Sequence, residues 1–155
     1  MKQLTEAEAL HRCAAYCSTA ERCIQDIRNR LDRWQIPVTE QQNILARLQK
    51  EQFLNEARYC RAFINDKALF AKWGRQKIAY SLKGKNIPEA TINQALSEHL
   101  PQDNDELLTQ LLLKKKSTIK GASDYEVRIK LTRFAAGRGF GFDAIERCLN
   151  KLFKR

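Results

Sequence analysis

Apolar residues recur along this chain at helical intervals. Ile24, Ile27, Leu31 and Trp34 follow i, i+3, i+7, i+10, and Val127, Leu131, Phe134 and Ala135 follow i, i+4, i+7, i+8. Phe142, Ile145, Cys148, Leu149 and Leu152 form a third stripe. Such spacing puts the apolar groups on one face of a 3.6-residue helix. Val127, Ile129 and Leu131 also alternate as a strand would, but the continuation to Phe134 and Ala135 favours a helix. Four segments of capping-box form add start signals: Thr5-x-x-Glu8, Ser18-x-x-Glu21, Thr39-x-x-Gln42 and Ser123-x-x-Glu126. The pattern predicts an all-α chain of nine helices over about residues 5–17, 19–34, 39–50, 55–71, 74–84, 88–100, 104–117, 124–137 and 141–153, with no strand.

The helices come in threes. Ile27, Ile78 and Leu131 take the same place in the second helix of each triplet, and Ile36, Ile87 and Phe140 follow nine residues later. Ile87-Pro88-x-x-x-Ile92-x-x-x-Leu96 parallels Phe140-x-x-x-x-Ile145-x-x-x-Leu149. Ile36-Pro37 opens the same stretch in the first copy, where Ile44 and Leu48 come three residues late. A period of about 50 residues divides the chain into three-helix repeats at 1–52, 53–101 and 102–155. A trio of short helices buries little apolar surface alone, so stacked copies are expected to share an extended core.

Charge sharpens the picture. The 155 residues carry a net charge of +10, and the excess lies beyond residue 54. A basic surface of this kind suits a polyanion, because cationic groups displace counterions from a phosphate backbone. Five cysteines are present without a Cys-x-x-Cys pair, and only His11 and His99 could join them, so no metal site and no cofactor are expected. Residues 1–6 lack the apolar stretch of a signal peptide, and no apolar run approaches the roughly 20 residues that cross a bilayer. The expectation is a cytoplasmic protein with reduced thiols and no membrane contact. Neither a phosphate loop nor a Gly-x-Ser-x-Gly elbow is present, so the expectation is a binding protein rather than an enzyme.

The middle copy carries a resemblance. It reads Phe53-Leu54-Asn55-Glu56-Ala57-Arg58-Tyr59-Cys60-Arg61-Ala62-Phe63-Ile64-Asn65-Asp66-Lys67, then Gly74-Arg75-Gln76-Lys77-Ile78-Ala79-Tyr80-Ser81-Leu82-Lys83-Gly84-Lys85-Asn86-Ile87. With Lys130-Leu131-x-x-Phe134 and Arg138-Gly139-Phe140 in the third copy, this resembles the RecX family of bacterial recombination regulators over roughly residues 45–153. Asn86 stands where that family usually has a turn glycine, Lys67 where arginine is common and Asn55 where aspartate is more frequent. Asparagine tolerates the left-handed conformation, so the turn can survive. The resemblance implies an elongated, curved array of three three-helix repeats. It also implies binding along the groove of the RecA–DNA filament, with inhibition of RecA's ATP hydrolysis, strand exchange and coprotease activity.

Two basic stretches are the candidate filament- and nucleic-acid-binding residues. One is Lys67, Lys72, Arg75, Lys77, Lys83 and Lys85, a run without an acid. The other is Lys114, Lys115 and Lys116 followed by Arg128, Lys130, Arg133 and Arg138. Lys72, Trp73 and Arg75 adjoin a glycine at a helix start, where free amides and the helix dipole also favour anions. Trp73 itself reads as a packed aromatic or as a stacking surface. Asp103, Asp105 and Glu106 read as an acidic helix start rather than a metal site. The expected partners are the RecA filament and, in a weaker and salt-dependent manner, single- and double-stranded DNA, bound by a monomer. A stand-alone basic helical DNA-binding module and a scaffold that binds only protein are the alternatives.

Overall fold

The computed structural model describes residues 3–100 and 105–153. Among these it contains nine helices and no strand: α1 (Glu6–Thr19), α2 (Ile24–Arg33), α3 (Val38–Lys50), α4 (Glu56–Leu69), α5 (Arg75–Gly84), α6 (Glu89–His99), α7 (Asp105–Lys116), α8 (Asp124–Gly137) and α9 (Phe142–Leu152). Helices pack within triplets, α1 and α2 on α3, α4 with α5 and α6, and α7 with α8 and α9. Three clusters of buried residues result, not the single continuous core expected from stacked copies. Cys23, which precedes α2, belongs to the middle cluster and ties the first triplet to the second.

The repeat is visible position by position. Ile27, Ile78 and Leu131 are fully buried, as are Leu31, Leu82 and Ala135 one turn later. Ile36, Ile87 and Phe140 close each core from the turn that follows. The residue before each of them, Gln35, Asn86 or Gly139, has positive φ, so Asn86 does take the left-handed turn conformation. The third helix corrects the register read from the sequence. Gln41 lies five residues after Ile36, as Ile92 and Ile145 lie after Ile87 and Phe140, and all three are buried. Ile44 and Leu45 then match Ala95 and Leu96, and Cys148 and Leu149. The first copy is therefore in phase, with a polar residue in an apolar slot. Gln41 is satisfied there, since its Nε2 donates to Ile36 O and Asp32 Oδ1, each at 2.8 Å.

Two of the four start signals are overturned. Ser18 does not begin α2. Its hydroxyl donates back to Ala14 O at 3.0 Å, inside α1. Instead α2 starts at Ile24, with Asp26 Oδ2 accepting from Cys23 N–H at 3.1 Å. Thr39 lies inside the first turn of α3, where Pro37 is the capping residue, as Pro88 is for α6. Thr5 and Glu8 do form the reciprocal pair, and Ser123 Oγ accepts from Glu126 N–H at 3.2 Å. Phe142, placed on the α9 stripe by its spacing, is 70% exposed because it stands in the first turn, beyond the core. Asp105 and Glu106 are the acidic first turn of α7, while Asp103, residue 104 as the start of that helix and the 101/102 repeat boundary lie outside the described residues.

Candidate nucleic-acid and filament interface

One stripe of α4 carries Tyr59, Phe63 and Lys67 at four-residue intervals. The Tyr59 and Phe63 rings stack with centroids 6.0 Å apart. After α4, Lys72 adopts φ 58°, and the Trp73 amide donates to Lys67 O at 2.8 Å. This turn lays the indole edge-on against Phe63, at 6.3 Å, as a half-buried packed aromatic. Two ammonium groups then lie over the indole, Lys67 Nζ at 4.9 Å and Lys77 Nζ at 4.5 Å. Each such cation–π contact stabilises by about 0.5–1 kcal/mol at an exposed site. Asp66 stands beside them, 3.6 Å from Lys67.

The third triplet extends this surface. Arg138 places its guanidinium 5.1 Å from the Phe134 ring centre and donates from Nη1 to Ala71 O at 2.6 Å. Lys115 Nζ sits 5.2 Å from the same ring, and Lys77 Nζ also donates to Gly137 O at 3.3 Å. Lys67, Lys77, Arg138 and Lys115 thus form one cationic band across the joint between the second and third triplets, resting on Trp73 and Phe134. Half-buried Lys72 lies in the turn at its edge.

The remaining candidates divide differently. Lys116 and Arg128 flank Phe153 at 4.8 and 5.4 Å, and Arg128 donates to Asn150 Oδ1 at 3.1 Å. Arg75 and Lys83 on α5, Lys114 on α7, and Lys130 and Arg133 on α8 are exposed. Lys85 points into the other joint, where its Nζ lies 3.1 Å from Asp26 Oδ1. Burial alone would raise the Asp26 pKa, but the Cys23 amide and the Lys85 ammonium outweigh it and hold it below its ordinary value. The hydrogen bond to Asp26 pushes the Lys85 pKa up.

The anion site expected at the start of α5 is not available as drawn. Gly74 N–H donates to Arg138 O at 2.6 Å and Gln76 N–H to Gly139 O at 3.1 Å, so the neighbouring triplet's carbonyls occupy these amides. Sequence reasoning also missed the joint residues of the first two triplets. Arg58 pairs with Glu21, and Glu56 Oε2 accepts from Ile24 N–H at 3.2 Å. It missed the aromatic supports too, although Phe63-x-x-x-Lys67 shows the one-turn spacing that brings a cation over a ring.

Burial pushes the Cys13, Cys23 and Cys60 thiols up to about 11, which keeps them protonated and unreactive. No group of three or more His, Cys, Asp and Glu side chains able to hold a metal occurs among the described residues. No described helix is long and apolar enough to cross a membrane.

Comparison with known proteins places this geometry. Residues 55–96 match the second three-helix domain of RecX, and residues 102–149 match its third. A protein of Prosthecochloris aestuarii named regulatory protein RecX is 28% identical over 145 residues, covering 94% of this chain and 93% of that protein. One of the same name from Leuconostoc mesenteroides is 22% identical over 140 residues, covering 90% of this chain, which spans only about half (52%) of that relative. The crystal structure of RecX from Lactobacillus salivarius superposes with a TM-score of 0.85 at 18% identity, covering 95% of this chain and 96% of that one, a likeness of fold. With two successive domain matches over the second and third triplets, and relatives named as regulatory proteins aligned along nearly its whole length, the chain belongs to the RecX family.

Proposed function

We propose that this protein regulates the RecA recombinase by binding the RecA–DNA filament in the cytoplasm, as a monomer and without catalysis of its own. It restrains ATP turnover, strand exchange and coprotease activity, and so acts in recombination, DNA repair and the SOS response. The observation that carries this reading is the cationic band of Lys67, Lys77, Arg138 and Lys115, which spans the joint between the two triplets that match RecX domains. A filament offers DNA phosphates and acidic protein surface together, and a band held on two ring faces presents its charges at fixed separations. The repeats, taken as 1–52, 53–101 and 102–155, supply a surface long enough to follow a groove.

The test is RecA ATP turnover on single-stranded DNA with this protein titrated in. Turnover falls at substoichiometric amounts if the reading holds; unchanged turnover and filament stability in excess protein would end it. Lys72→Ala, Arg75→Ala and Lys77→Ala combined weaken filament binding while the chain stays folded.

The second reading is a stand-alone basic helical DNA-binding module, supported by the net charge of +10. It requires affinity for free DNA, on the order of 10⁻⁴ to 10⁻⁶ M, that falls steeply with salt.

A further inference from the structure

Phe70 is the most exposed large apolar residue described, at 81%. It is not a loose loop tip. Its amide donates to Asp66 O at 3.0 Å, the Ala71 amide to the same oxygen at 3.3 Å, and Ala71 O accepts from Arg138. The ring is therefore held outward from a fixed backbone. It follows Phe63 by two helical turns, so the aromatic stripe of α4 runs from buried Tyr59 through half-buried Phe63 to an open ring.

Its surroundings identify the occupant. Lys67 lies one turn back on the same helix, with the Asp66 carboxylate 3.6 Å from it, Lys72 lies two residues on, and Lys77, Arg138 and Lys115 continue the band. A projecting ring needs a flat apolar face, and several cations in a row need repeated negative charge. Unpaired nucleic acid supplies both, a base face and its phosphates, in one molecule. We propose that Phe70 stacks on an unpaired base of single-stranded nucleic acid whose phosphates lie along the Lys67–Lys77–Arg138–Lys115 band. This deepens the filament reading, on which it rests for the presence of a single strand.

The test compares the wild type, Phe70→Ala and Phe70→Trp by fluorescence anisotropy on two labelled strands of equal length, an all-thymidine oligonucleotide and an abasic one. Phe70→Ala binds the thymidine strand about tenfold more weakly. It binds the abasic strand as the wild type does, and Phe70→Trp restores thymidine binding. The slope of affinity against salt stays constant, because the phosphate contacts are unchanged. An equal loss on both strands, no loss on either, or no wild-type binding to either strand would overturn the proposal. So would preserved strand affinity alongside abolished action on RecA turnover, which would make Phe70 a protein contact. Wild-type protein that binds the strands as described yet leaves RecA turnover untouched would sink the regulator reading and leave the stacking site standing.

Discussion

Gly74 and Gly139 meet backbone to backbone. A Cβ on Gly74 would lie 2.6 Å from Gly139 C, and a Cβ on Gly139 would collide with Lys77 Cβ. That contact lets Gly74 N–H reach Arg138 O and Gln76 N–H reach Gly139 O. Gly139 also has φ 94°, which a side chain would strain. Two glycines far apart in sequence therefore set how the third triplet sits on the second, and with it the continuity of the cationic band.

Alanine at either position destabilises the joint. Overpacking of this kind costs about 1–3 kcal/mol, and Gly139→Ala exceeds Gly74→Ala because positive-φ strain adds to it. Gly84→Ala is the control, since nothing lies within 4 Å of its added Cβ, and it is neutral or slightly stabilising. Urea denaturation of the three variants checks the order. Equal midpoints for Gly74→Ala and Gly84→Ala would show that the close approach is not needed.

The first joint is ionic and answers to pH. Asp26 has a lowered pKa in the folded chain, so its stabilisation is complete above its unfolded value near 3.8 and is lost as pH falls through the folded value. Glu56 behaves oppositely. Burial raises its pKa above 4.5, so its charged form is penalised at neutral pH and the penalty is relieved as pH falls. On acidification, stability first edges up through Glu56 and then drops, below about pH 4, through Asp26. Asp26→Asn costs about 1 kcal/mol at pH 7, because Lys85 is partly exposed. Glu56→Gln is neutral or stabilising there, since the amide oxygen still accepts from Ile24 N–H. Urea midpoints measured from pH 3 to 7 check both signs, and a Glu56→Gln variant weaker than Asp26→Asn at pH 7 would reverse the assignment.

How far the sequence discloses this molecule depends on the kind of signal. Ile27, Ile78 and Leu131, with the turn residue and apolar closure that follow each, are legible because core burial at a fixed spacing leaves a periodic trace. Ser18 and Thr39 mislead because a hydroxyl three residues before an acid or amide marks a helix start only if the backbone opens there. Ser18 finds its partner within α1 instead. The basic candidates were legible as a set but not as a surface. Lys85 and Lys67 look alike in sequence, yet one is bonded to Asp26 across a joint and the other lies over Trp73. That difference comes from loop geometry and long-range packing, which carry no period.

Gln41 offers a direct test of repeat equivalence. Its slot holds isoleucine in the other two copies, so Gln41→Ile fills it with a side chain of similar bulk but leaves Ile36 O without its donor. Loss of that hydrogen bond costs about 1–3 kcal/mol, partly offset by apolar burial. Gln41→Ala loses the bond and leaves a cavity as well, so it is the weaker of the two. Thermal denaturation gives the ranking wild type, then isoleucine, then alanine. Alanine equal to wild type would mean that the slot is not packed as the repeat requires.

The last prediction separates the binding lysines from the structural one. Removing one cation that neutralises a phosphate lowers the slope of log affinity against log salt by about one. Lys77→Ala and Lys115→Ala each take one cation from the band, so each reduces the slope for single-stranded DNA by about one and weakens binding most at low salt. Lys85→Ala removes a cation from the same acid-free run of sequence, but its charge is held by Asp26 at 3.1 Å, so the slope stays at the wild-type value while the urea midpoint falls. Anisotropy titrations at several salt concentrations decide the matter. Equal slope changes for Lys85→Ala and Lys77→Ala would mean that phosphates read the net charge of the chain and not the band built on Trp73 and Phe134.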